Sequence, residues 1–211
     1  MIPEIQKIFG GNLLCVAEYG VGDVQYVIIV DKIDTATLNT SKKALQNHFK
    51  KIKKFPLILT KEELNDGLDV FPLEFLNMKL NHKILFGNDI FDKLKFDKKN
   101  VRRELEYEFR SKLINLRQSY LIIKSDKELG VIVNSSIPTL LPMLNGMLFL
   151  RDIKVPSDIN EILELTGKEY GINISALKRL KEFGHSNREE SVKELVDLLG
   201  RLGEMFDEMK L

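Results

Sequence analysis

Cysteine occurs once in the 211 residues, at Cys15, so an intrachain disulfide is excluded. With no signal-like stretch at the N-terminus, this points to a reducing, cytoplasmic setting. Net charge is nearly absent: 32 Lys and Arg against 31 Asp and Glu leave +1. No global field marks a nucleic-acid binder, and any electrostatic argument must be local. The three histidines, His48, His82 and His185, are dispersed without metal-ligand spacing, and His82 reads as a turn residue. No repeat or low-complexity segment stands out. The longest apolar run, "IPTLLPMLNGMLFL", holds 14 residues and is interrupted by Pro138, Pro142 and Asn145. It is too short to span a bilayer and reads as a buried helix, so no membrane partner is expected.

What is present is enough apolar residue, 44%, for a real core. The first half alternates strand and helix signals. "NLLCVAEYG" and "VQYVIIVD" are β-branched or aromatic runs beside glycine, and read as buried strands. Between Thr35 and Phe55, Leu38, Leu45, Phe49 and Ile52 recur near helical spacing with lysines opposite. "PLILT" reads as a further strand, and Thr60 with Glu63 forms a capping box for a short helix ended by Gly67. "DVFPLEFLNMK" alternates enough for a strand with Pro72 near its start, and "KILFG" follows as another.

From Val101 the period is helical. Leu105, Phe109, Leu113, Leu116, Tyr120 and Ile123 form one stripe. A more apolar helix over Ile132 to Leu150 follows, bent at Pro142. Asp158 with Glu161, Ser175, and Ser186 with Glu189 mark three further helix starts, the second carrying Leu180 and Phe183. The final helix aligns Val192, Leu195, Val196, Leu199, Leu202, Phe206 and Met209 on one face. The expected fold class is α+β: a mixed-sheet domain over 1–98, then an all-helical bundle over 99–211.

The segment from Asp69 to Tyr120 carries "DVFPLEFLNMKLNHKILFGND" and then the charged helix "RRELEYEFRSKLINLRQSYL". It resembles nucleotidyltransferase-like proteins of the DNA polymerase beta superfamily. There, an acid-bearing strand is followed by a turn, an apolar strand ending in glycine, and a helix with several arginines. The resemblance covers roughly residues 10 to 150. It implies a glycine turn whose amides hold a triphosphate, two acids one residue apart on a strand, and a third acid nearby, together binding Mg²⁺. Laid on that pattern, Gly20 takes the glycine position, with Gly22 shaping the phosphate side, and Val21 stands where serine is usual. Asp23 takes the first acid position, Gln25 the second and Glu74 the third. Asp23 and Glu74 are thus the candidate catalytic residues, and Asp23, Gln25 and Glu74 the candidate metal ligands.

Two departures fall at the centre of that chemistry. Gln25 offers an oxygen but no charge, and the interval from Gly20 to Asp23 is too short for the helix turn that normally cradles phosphate. The resemblance therefore implies transfer of a nucleotidyl group from a nucleoside triphosphate to an unknown acceptor, through a degenerate site. The alternative is a non-catalytic nucleotide-sensing or protein-interaction module, including a homodimer. Arg110 and Arg117 lie seven residues apart on one helical face and are the candidate nucleotide-phosphate contacts, with ion pairing to Glu104, Glu106 and Glu108 as the competing role. Lys42, Lys43, Lys50, Lys51, Lys53 and Lys54 form a basic run, read either as a solvated face or as a nucleic-acid contact. Cys15 in an apolar strand reads as an inert buried thiol.

Overall fold

The computed structural model describes residues 2–22, 24–49, 55–175, 177–178 and 188–211. Asp23, Lys50, Lys51, Ile52, Lys53, Lys54, Leu180, Phe183, His185 and Ser186, named above, lie outside the described residues. The chain forms two compact units, Met1–Phe96 and Asp97–Leu211.

The first unit is a mixed four-stranded sheet with helices. In chain order it comprises α1 (Ile2–Phe9), β1 (Leu13–Tyr19), β2 (Gln25–Val30), α2 (Thr35–Phe49), β3 (Leu57–Thr60), α3 (Lys61–Asp66), α4 (Pro72–Leu80) and β4 (His82–Gly87). The sheet order is β3-β2-β1-β4. β1 runs antiparallel to both β2 and β4, and β2 is parallel to β3.

The period of two along the strands sorts side chains into two cores. Cys15, Ala17, Tyr19, Val27 and Ile29 face one side, where they pack with Leu64 of α3, Phe75 and Met78 of α4, and Phe91 and Leu94 beyond β4. Val16, Ile28 and Val30 face the other, where Ile5 and Phe9 of α1 and Leu45 of α2 meet them. Leu13 joins this second set because the β1–β2 register shifts between Leu13 and Cys15. A sheet covered on both faces explains why β1 and β2 read as continuous apolar runs rather than alternating ones.

The strand expected over "DVFPLEFLNMK" is not a strand. Gly67–Asp69 is a 3₁₀ turn, and α4 begins at Pro72. Proline has no amide proton to lose at the first helical position, so there it starts a helix rather than marking a strand edge. Leu73, Phe75, Leu76, Asn77 and Met78 are all buried, so the helix is covered nearly all round and shows no alternation between two faces. Glu74 is consequently a helix residue. The Thr60 capping box is present: the Thr60 hydroxyl accepts from the Glu63 amide, and the Glu63 carboxylate accepts from the Thr60 amide.

The second unit holds α5 (Lys98–Ile122), α6 (Asp126–Leu150), α7 (Ile159–Tyr170) and α8 (Arg188–Glu208), and among its described residues there is no strand. Asp97, Ser125 and Asp158 cap α5, α6 and α7 through their side-chain oxygens. α8 packs mainly on α5 and also on α6. Its buried face is Val192, Leu195, Leu198, Leu199, Leu202 and Phe206. Tyr170 anchors α7 to α6 by donating its hydroxyl to the Met147 carbonyl at 2.6 Å. No described helix is long and apolar enough to cross a membrane.

Candidate functional site

The β1–β2 pairing closes on Tyr19 opposite Gln25, so the two strands form an antiparallel hairpin. Gly20 and Gly22 both take positive φ, 102° and 76°, which a non-glycine residue adopts only with strain. The Gly20 amide donates to the Asn81 carbonyl at 2.9 Å, tying the tip to the end of α4. The glycines therefore serve the β1–β2 connection, and among the described residues β2 is the next element after them. The helix N-terminus that would aim amides at a triphosphate does not follow them.

Gln25 and Glu74 nevertheless come together, on a side chain the sequence reading did not single out. The Tyr19 hydroxyl lies 2.5 Å from Glu74 Oε1 and 3.2 Å from Gln25 Oε1. A phenol carries one proton, and the shorter contact to a carboxylate is where that proton is donated. Tyr19 is buried, and its pKa is driven far above the usual tyrosine value, first by burial, then by the Glu74 charge and the bond donated to it. The phenol is thus held neutral. The Tyr19 hydroxyl bridges the two described members of the expected ligand set.

The two arginines expected at a nucleotide belong to the helical unit. Arg110 pairs with Glu106 at 3.3 Å and with Asp207 at 2.9 Å. Arg102 pairs with Glu106 at 3.2 Å and also donates to the Phe206 carbonyl. Arg117 and Lys193 line an open groove of about 550 Å³ with Tyr120, Leu121 and Val192, but Glu189, Glu190 and Asp197 line it too and outnumber them. Three carboxylates at its wall make the groove a poor receptor for a triphosphate. Cys15 is fully buried, and burial, with the Asp89 charge, pushes its thiol up to about 11, so it is no nucleophile at neutral pH.

A second polar cluster escaped the sequence reading. His82 opens β4, and Asp89 and Asp92 follow in the loop beyond it. One ligand atom from each of the three falls within 4.8 Å of the others. His82 Nε2 lies 3.0 Å from Asp89 Oδ2, and Nδ1 lies 3.1 Å from the Lys79 carbonyl. Asp89 Oδ1 accepts from the Phe91 amide at 2.9 Å and the Asp92 amide at 3.3 Å. Burial works to raise the Asp89 pKa, but the His82 bond and these amides outweigh it and hold the carboxyl below its usual value. The Lys79 ammonium donates to the Asp92 and Leu94 carbonyls at 2.9 and 2.7 Å, pinning the loop to the end of α4. The signal in sequence was His82 ahead of "NDIFD", which becomes a constellation only once the loop is known to fold back.

No protein-family model matches the chain, and no similar curated protein is found. The functional reading therefore rests on the geometry.

Proposed function

We propose that the chain is a non-catalytic association module built on a nucleotidyltransferase-like domain, with a second copy of itself as partner. The observation that carries the first half is the Tyr19 hydroxyl seated between Gln25 and Glu74. The Gln25 amide and a phenol held neutral bring no charge to a site for Mg²⁺, a hard ion that prefers carboxylate and phosphate oxygens. The hairpin at Gly20 and Gly22 supplies no helix N-terminus for a triphosphate, and Arg110 is already neutralised by Glu106 and Asp207.

Association is supported by the outer face of α5. Tyr107, Ile114 and Leu121 recur at seven-residue spacing and are 67%, 55% and 83% exposed. Three large apolar side chains in one heptad row are costly to leave in water and suit a facing helix of the same pattern. An isologous contact uses such a row twice, once from each copy.

Two measurements test the reading. Purified chain, given each labelled nucleoside triphosphate with Mg²⁺ or Mn²⁺, should transfer no nucleotide; turnover that Glu74→Gln abolishes would overturn it in favour of an active transferase. Sedimentation equilibrium should show a dimer that Ile114→Glu with Leu121→Glu converts to monomer. A wild-type monomer at all concentrations would remove the association half.

A further inference from the structure

We propose that His82, Asp89 and Asp92 form a binding site for one divalent transition-metal ion of the zinc class, which clips the loop after β4 to the end of α4. The argument starts from the imidazole. Its side chain is only 11% exposed, and both ring nitrogens face pure acceptors: the Lys79 carbonyl at 3.1 Å and the Asp89 carboxylate at 3.0 Å. A neutral imidazole has one N–H and can donate to only one of them. When Nδ1–H donates to the backbone carbonyl, Nε2 and the carboxylate oxygen meet either across a second ring proton or as two lone pairs that share a metal ion, and the metal titration below separates the two.

The spacing suits a metal ion. Two ligands each about 2.0–2.1 Å from a Zn²⁺ ion, at angles between octahedral and tetrahedral, lie roughly 2.9–3.4 Å apart. His82 Nε2 and Asp89 Oδ2 are 3.0 Å apart. Asp92 brings a second carboxylate within 4.8 Å of both. The Nδ1–H bond to a backbone carbonyl is the outer-sphere contact that fixes ring orientation at metal-binding histidines. Asp89 is likewise oriented by two backbone amides on its other oxygen. Lys79 carries the Asp92 backbone and so holds the third ligand in place. Imidazole with two carboxylates favours a borderline ion such as Zn²⁺ or Co²⁺ over Mg²⁺, which prefers oxygen alone. Three protein ligands leave a fourth position for water. The site shares no ligand with Gln25 and Glu74, although His82 pairs across the sheet with Tyr19, and the inference stands whether or not the module associates.

Full-length chain stripped with a chelator would be titrated with Zn²⁺ by calorimetry, with Co²⁺ by visible absorption, and with Mg²⁺ as control. The expected result is one Zn²⁺ per chain, a Co²⁺ absorption band displaced by Zn²⁺, and no Mg²⁺ response. Saturating Zn²⁺ should raise the Tm of the unfolding transition by about 5 °C. Asp92→Asn, on an exposed residue, should weaken Zn²⁺ at least about tenfold with an unchanged circular dichroism spectrum, and His82→Gln should remove the Co²⁺ band. Glu74→Gln should leave the titration unchanged. Absence of Zn²⁺ binding overturns the proposal, as does binding that survives Asp92→Asn and His82→Gln together, which would place the ion on other residues. An equal response to Mg²⁺ would overturn the assignment of His82 as a ligand.

Discussion

The Tyr19 hydroxyl donates to the Glu74 carboxylate at 2.5 Å, joining the last residue of β1 to the first turn of α4. Removing the donor with Tyr19→Phe leaves a half-buried carboxylate without it and should cost roughly 1–3 kcal/mol, read as a lower urea midpoint. The pH dependence follows from the raised phenol pKa. The folded state keeps the proton above the value, about 10, at which an unfolded tyrosine loses it. The contribution is therefore complete below about pH 10 and falls as pH climbs beyond it toward the folded value. Tyr19→Phe should flatten the alkaline decline in stability. An identical decline in both proteins would show that Tyr19 ionises freely.

In the helical unit, the Phe109 and Phe206 rings stack with centroids 5.6 Å apart and planes 14° apart, and both are fully buried. Phe206→Ala would open a cavity that Tyr170, whose ring is 5.9 Å away, cannot fill while its hydroxyl stays bonded to Met147. The expected loss is about 3–5 kcal/mol, measured by denaturant unfolding of this unit. A loss below about 1 kcal/mol would mean that α8 does not depend on this seam.

These two contacts also show what the sequence carried. The stripe through Val192, Leu195, Leu199, Leu202 and Phe206 was legible because a 3.6 period over a long helix has few rivals. The strands β1 and β2 were legible from their short apolar runs beside glycine, and the Thr60–Glu63 box from its spacing. "DVFPLEFLNMK" misled because a short, mostly apolar segment fits both periods, and Pro72 is permitted both at a strand edge and at the first position of a helix. The site was legible only in part for a related reason. Gln25 and Glu74 were expected near one another only through a resemblance that put Glu74 on a strand, and Tyr19, which joins them, reads in sequence as one more aromatic of a buried strand. His82, Asp89 and Asp92 are brought together by the loop after β4, and no local pattern predicts where a loop returns.

Gly87 ends β4 at φ 81°, opposite Cys15. A Cβ there would stand 2.0 Å from the Leu14 carbonyl oxygen, which is sheet backbone and cannot rotate away. Gly87→Ala combines left-handed strain of about 1–3 kcal/mol with a clash that forces β1 and β4 apart. Loss of the folded state at 37 °C, or a Tm lower by many degrees, is expected. Gly10, also at positive φ but with open space around its Cβ position, is the control: Gly10→Ala should pay the strain alone. Equal effects at the two positions would show that the β1–β4 approach is looser than it stands here.

The last prediction concerns a charge added at Gln25. Gln25→Asp would place a second carboxylate at the mouth of β2, close to the hydroxyl that Glu74 already uses. The Tyr19 proton serves one carboxylate, so the other is left facing a like charge. At neutral pH the variant should be less stable than wild type, and the difference should shrink as acid protonates one of the pair, because two close carboxylates cannot both ionise freely. Mg²⁺ offers the missing cation, so millimolar Mg²⁺ should raise the Tm of the variant and leave wild type unmoved. Nucleotide transfer should stay absent in both, because the Gly20–Gly22 hairpin is unchanged and still lacks a helix N-terminus for the triphosphate. A variant indifferent to Mg²⁺ would show that positions 25 and 74 cannot share an ion. A variant that transfers nucleotide would show that a single charge was all that separated this domain from catalysis.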